Sequence, residues 1–176
     1  KNTLLAIQKI TSPDGLGMSP KRITVSTSGI TKIIREISDQ NPRFKLAVSL
    51  HSAIEQTRNS IMPFTKKFPL DQLLDALKYW YEKTKSQITF EVVVWHGIND
   101  KQVDIDALVK YCKQVPSKVN LIEYNAIGDN QFVQAKPEAI AAYSAALENN
   151  RIPVTVRRSR GKDIDAACGQ LANKNN

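Results

Sequence analysis

Short runs rich in β-branched and aromatic residues alternate with amphipathic helical stretches along almost the whole chain. That alternation restricts the fold more than any other feature. Strand-like runs occupy residues 23–26, 44–50, 88–95, 119–122 and 153–156. Between them lie helical patterns: residues 30–37, then Leu70, Leu73, Leu74, Leu77, Trp80 and Tyr81, then Ile105, Leu108, Val109 and Cys112, and an Ala-rich stretch opened by Pro137. Strands separated by helices argue for βαβ units, hence an α/β fold with parallel strands and outer helices. The run 88–95 is nearly continuous in apolar residues and is expected to be buried on both faces.

The 176 residues suffice for one domain with a real core. Leu4, Leu5, Ile7 and Ile10 recur at helical spacing from the start of the chain. A domain seldom opens in mid-element, so a segment of a longer protein is expected. A formal net charge of +8 favours an anionic partner, with nucleic acid the usual one. No apolar run approaches the about 20 residues of a membrane span. Cys112 and Cys168 are too few for a disulfide framework, which fits a reducing cytoplasm. Two cysteines cannot by themselves hold a structural zinc or an iron–sulfur cluster, so no metal site is expected within this chain.

Several polar residues fall where strands end: Ser26, then Ser49 and His51, then His96, then Asn125. In parallel α/β folds, sites gather at the carboxyl ends of strands. These side chains are therefore expected to share one mouth and to hydrogen-bond a polar small molecule. Their alternative is local capping and turn chemistry. The segment 157–171 places Cys168 after a dense basic stretch of Arg157, Arg158, Arg160 and Lys162. Such a stretch favours the thiolate and attracts phosphates, which suggests covalent chemistry on a nucleic acid. Taken alone, Cys168 would read as a small buried hydrophobe and the arginines as a solvated charged stretch. Cys112, on an apolar helix face, reads as core. Arg58 can pair with Glu55 in a local helix. Lys66 and Lys67 form a second candidate basic patch, and Tyr79, Trp80 and Tyr81 read as core packing.

Val25-Ser26-Thr27-Ser28-Gly29, Ser49-Leu50-His51, Asn120-Leu121-Ile122 with Asn125, and Arg160-Gly161 through Cys168-Gly169-Gln170-Leu171 occur in this order. Together they resemble the radical S-adenosylmethionine adenine methyltransferases that act on carbon 2 of adenine in ribosomal and transfer RNA. The resemblance covers residues 4–171. It implies the C-terminal portion of a partial (β/α) radical-SAM barrel over residues 1–171, with the first strands missing and residues 172–176 as a frayed polar tail. The family's Cys-x-x-x-Cys-x-x-Cys motif and its Gly-x-Gly-Glu segment are not in this sequence. A 4Fe–4S cluster would belong to the parent protein, and the fragment alone is expected to be inactive.

Carbon 2 of adenine has no nucleophilic lone pair, so displacement on a methyl sulfonium cannot alkylate it. The resemblance implies a radical route that uses two S-adenosylmethionine molecules and a methylated cysteine. It makes Cys168 the methyl carrier and Ser26, Ser49, Leu50, His51 and Asn125 the S-adenosylmethionine site. Arg157, Arg158, Arg160 and Lys162 would contact the RNA. Ribosomal RNA is the expected partner, with transfer RNA a candidate second substrate. An open barrel edge could also pair with another copy. The rival readings are a carbon-8 adenine methyltransferase of the same superfamily, a non-catalytic RNA-binding module and a generic α/β sugar-processing domain.

Overall fold

A computed structural model describes residues 2–125 and 132–157. Helix α1 (Asn2–Thr11) leads through a turn to β1 (Thr24–Thr27), α2 (Thr31–Ser38) and β2 (Lys45–Ser49). A short helix α3 (Glu55–Ile61), a tight 3₁₀ turn (Pro63–Lys67) and the long α4 (Leu70–Thr84) follow. The chain then runs through β3 (Ile88–Val94), α5 (Gln102–Cys112), β4 (Ser117–Glu123), α6 (Pro137–Asn149) and β5 (Val154–Arg157). The expected strands are all present, with ends shifted by one or two residues. The basic segment's Arg157 becomes the last residue of β5 rather than part of a loop.

All five strands are parallel and lie in sequence order, β1-β2-β3-β4-β5. A doubly wound sheet would reverse its order at a switch point. An unreversed order with crossovers of one hand puts every helix on the same side, as in a barrel wall. Among the described residues β1 and β5 do not pair with each other, so the sheet stays open, as a partial barrel requires.

The helix-covered face is apolar. Leu46, Val48 and Leu50 of β2 and its exit, Ile88, Phe90 and Val92 of β3, and Val119 and Leu121 of β4 are all buried. They pack in one cluster with Leu73, Leu77 and Trp80 of α4, Leu108 of α5, and Tyr143 and Leu147 of α6. Helix α4 fits this task by pattern. Its buried residues Leu70, Leu73, Leu74, Leu77 and Trp80 fall on one stripe. It ends where Lys85 turns left-handed (φ 53°) and its N–H meets the Tyr81 carbonyl. Helix α5 starts with the Asp104 carboxylate accepting the Lys101 backbone N–H at 3.2 Å.

The other face of the sheet is polar. Period-two alternation places Thr24 and Ser26 (β1), Lys45 and Ser49 (β2), Thr89 and Glu91 (β3), Lys118 and Asn120 (β4), and Thr155 and Arg157 (β5) there together. The expected burial of β3 holds: Thr89 is buried on this side too, and Glu91 and Val93 are half-buried. Thr89 and Glu91 interrupt its apolar run, and they occupy the side without helices. Expectations for the tail 172–176 concern residues outside those described. Among the described residues no helix is long and apolar enough to cross a membrane.

Leu77 and Trp80 are both fully buried, and the Trp80 indole N–H has no hydrogen-bond partner among the described residues. Leu77→Ala is expected to destabilise by about 2–5 kcal/mol. Trp80→Phe deletes the unpaired donor and should cost less, because no hydrogen bond is lost with the ring. Urea unfolding of the two variants checks the order.

Candidate functional site at the strand tips

Three parallel strands, β1, β2 and β4, deliver polar side chains to the carboxyl end of the sheet. Ser26 stands on β1 opposite Ala47 of β2, on the open polar face. Ser49 ends β2 and lies opposite Glu91 of β3. His51 follows two residues later. Asn125, which is buried, follows β4 by two residues. The sequence placed these residues at strand ends, and the parallel order brings them to one rim.

Leu50 differs from its neighbours. Its side chain is wholly buried under the sheet. Its N–H goes to the Glu91 carbonyl at 3.0 Å, and its carbonyl accepts the Ser52 N–H at 2.7 Å. The geometry gives Leu50 the work of closing the turn, with packing and backbone both spent inside the protein.

That turn forces His51 into the left-handed region at φ 58°. Non-glycine residues go there at a cost, and the surroundings must hold them. The hold is dense. The His51 N–H reaches the Glu91 carbonyl at 3.2 Å. The Val93 backbone N–H donates to His51 Nδ1 at 3.2 Å. The Asn99 amide donates to the His51 carbonyl at 2.7 Å. The imidazole also lies 5.4 Å from the Trp95 ring, which is itself packed against Tyr124 and Phe132 at 6.1 and 5.3 Å. Burial, and secondly the Arg58 charge, lower the His51 pKa to about 4. His51 is therefore neutral at physiological pH. With Nδ1 accepting a backbone proton, its own proton resides on Nε2.

Two residues support this rim that the sequence reading did not place there: Asn99, which it did not single out, and Arg58, which it paired with Glu55. Asn99 has no exposed surface and joins three elements: its amide bonds the His51 and Val93 carbonyls and the Trp95 N–H, while its carbonyl accepts the Tyr143 hydroxyl. An Asn after a Gly-Ile pair reads as ordinary turn chemistry, and nothing in the sequence announces its burial. Arg58 is also fully buried. The expected pairing with Glu55 is replaced by other contacts. Arg58 Nη2 donates to the Ser28 carbonyl at 3.0 Å, and the Glu55 carboxylate accepts from Asn59 and from the Leu70 backbone. Gly29 (φ 98°) lies so close that an added Cβ would sit 3.1 Å from that guanidinium. Arg58 thus ties the loop after Ser26 to the segment carrying His51.

The remaining candidates fall in different places. Arg157 lies on the polar face and meets Glu91 at 3.6 Å, reaching past β4. His96 pairs with Asp100 at 2.9 Å and is half exposed. Lys66 and Lys67 are exposed on the 3₁₀ turn beside the exposed Phe64. Of the three aromatics on α4, Trp80 is core. Tyr79 sits at the surface, bonded to Asp39 and flanked by Arg35 and Lys83. Cys112 is core as expected, and burial pushes its thiol up to about 12. Cys168, Arg158, Arg160 and Lys162 lie outside the described residues. Among the described residues no three His, Cys, Asp or Glu side chains gather into a group that could hold a metal.

The lowered His51 pKa links stability to pH. Unfolded chains bind a proton at His51 below about 6.5, whereas the folded state does so only near pH 4. Folding stability contributed by this group is therefore present above pH 6.5 and falls as pH drops through that window. A His51→Asn variant is expected to show a shallower loss between pH 6.5 and 4, read by denaturant midpoints.

No protein-family model matches the chain. Individual proteins do. The chain is 67% identical over 173 residues to the protein named "Probable dual-specificity RNA methyltransferase RlmN" of Flavobacterium psychrophilum, covering 98% of this chain and 50% of that protein. The namesake of Flavobacterium johnsoniae is 64% identical over the same span, again 98% and 50%. Among solved structures, a radical SAM methyltransferase from Sphaerobacter thermophilus superposes with a TM-score of 0.90 at 34% identity, covering 96% of this chain and 49% of that one. The chain spans about half the length of the curated relatives it matches. Identity of this extent over nearly every residue settles kinship: the chain belongs to the RlmN family of dual-specificity RNA methyltransferases.

Proposed function

We propose that the strand-tip rim binds S-adenosylmethionine, and that the protein methylates carbon 2 of adenine in ribosomal RNA, with transfer RNA a second substrate. The observation that carries this reading is the convergence of Ser26, Ser49, His51 and Asn125 on the carboxyl ends of three parallel strands, β1, β2 and β4, of one sheet in a chain of this family. The donor set fits the cofactor. Two serine hydroxyls can donate or accept, His51 offers a neutral Nε2–H, and an amide side chain adds both kinds of partner. Ribose hydroxyls and an amino-acid head group call for that mixture.

When bound, S-adenosylmethionine supplies a methyl group and the radical chemistry that an unactivated aromatic carbon requires. The residues of this chain contribute position. Ser26 and Ser49 hold polar atoms on the open face. Trp95, Tyr124 and Phe132 pack together beside His51. Cys168 is assigned the methyl-carrying thiol, and Arg157, Arg158, Arg160 and Lys162 the approach of RNA phosphates. The described residues do not offer the thiolates that a 4Fe–4S cluster needs, since Cys112 is buried and protonated.

The test uses the protein at its full encoded length. Ser26→Ala and Asn125→Ala are each expected to weaken S-adenosylmethionine binding by about tenfold, the scale of one buried hydrogen bond. Cys168→Ala should retain binding and lose methyl transfer. Nuclease digestion and mass spectrometry of the RNA product should reveal 2-methyladenosine. Finding 8-methyladenosine, or an unmodified RNA with full cofactor turnover elsewhere, would overturn the assignment.

A further inference from the structure

The side-chain amide of Asn99 makes three hydrogen bonds, all to backbone. Its Nδ2 donates to the His51 carbonyl at 2.7 Å and to the Val93 carbonyl at 2.9 Å. Its Oδ1 accepts the Trp95 N–H at 2.7 Å. Both carbonyls belong to residues that the β2–β3 ladder has already released or is about to release. Without Asn99 the His51 carbonyl would be left facing a buried side chain without a donor. The left-handed turn at His51 would then lose one of its holds. Val93 is the hinge of the arrangement, because its N–H holds the imidazole and its carbonyl is held by Asn99. Asn99 thus grips backbone on both sides of one imidazole.

The ring has two nitrogens with separate fates. Nδ1 is committed to the Val93 N–H. Among the described residues no partner engages Nε2, the nitrogen that carries the proton. A ligand at the rim therefore meets a fixed donor, in one tautomer and one orientation. We infer that Asn99 is a positioning residue: it holds the His51 turn so that the imidazole presents Nε2–H, as a donor, to an acceptor oxygen of the bound cofactor. This rests on the proposed cofactor reading for the identity of the ligand, but the tautomer itself is a property of the ligand-free protein. Asn99 touches no ligand in this account and acts only through His51.

Two variants separate positioning from bulk stability. Asn99→Asp keeps the shape but replaces both N–H donors with an oxygen that faces two carbonyls. Tyr143→Phe removes only the hydroxyl that bonds the Asn99 carbonyl, leaving the amide intact. The first readout is the ¹⁵N NMR pattern of the His51 ring in the ligand-free, full-length protein. The second is S-adenosylmethionine affinity by calorimetry. Wild type and Tyr143→Phe should show a single Nε2–H tautomer. Asn99→Asp should show a tautomer mixture and bind about tenfold or more weakly, as expected for a misplaced contact group. If Asn99→Asp yields too little folded protein, Asn99→Ser, which keeps one donor, is read in the same way.

An unchanged ring pattern and affinity in the folded Asn99 variant would overturn the inference. So would a shift of equal size in Tyr143→Phe at matched stability, which would reduce Asn99 to a structural residue. If the wild type shows the single tautomer, and Asn99→Asp the mixture, yet neither binds S-adenosylmethionine, the positioning role stands and the cofactor reading fails.

Discussion

The β2–β3 register is the constraint on which the rest of the molecule depends. Ala47 faces Thr89, Val48 faces Phe90 and Ser49 faces Glu91. Because side chains alternate with period two, this pairing sends Val48 and Phe90 into the helix-covered core and Ser49 and Glu91 to the polar face. A slip of one residue would exchange the faces and bury a carboxylate under α4. The same register carries Glu91 to where its carbonyl caps both Leu50 and His51, so the site is an extension of the ladder. Geometry at the rim and burial of the core are therefore one fact seen from two sides.

Past the ladder, the rim is held by buried polar groups. His51 stays in a left-handed turn because backbone and side chain are both engaged. Asn99 supplies the amide, and Arg58 anchors the neighbouring loop through the Ser28 carbonyl. A buried guanidinium is costly, and burial works against its charge. It is tolerated here in contact with backbone oxygens. Such groups fix one arrangement of loops that hydrophobic contact alone would leave loose. Rigid placement is what a binding rim built from short side chains requires.

Much of this was legible in the sequence. Strand runs and amphipathic helices announce parallel α/β architecture because their periodicities differ. Leu70, Leu73, Leu77 and Trp80 declare the buried face of α4 by spacing alone. Ser26, Ser49, His51 and Asn125 stand out because they follow apolar runs. The rest depends on tertiary contact. Glu91 vanishes inside an apolar run until a partner strand reveals which face it occupies. Arg58 looks like half of a surface ion pair with Glu55, yet it is wholly buried, because the carbonyl it needs lies thirty residues away on another loop. Asn99 looks like any turn residue, and its importance lies in what folds around it.

The account's central claim is that the polar rim at the carboxyl ends of β1, β2 and β4 is a cofactor site. The most direct measurement is a crystal structure of the full-length protein with S-adenosylmethionine bound. The account predicts ligand density on the open face of the sheet, with hydrogen bonds from Ser26, Ser49 or Asn125 and from His51 Nε2–H. Ligand density seated elsewhere, with none of those four side chains in contact with it, would contradict it.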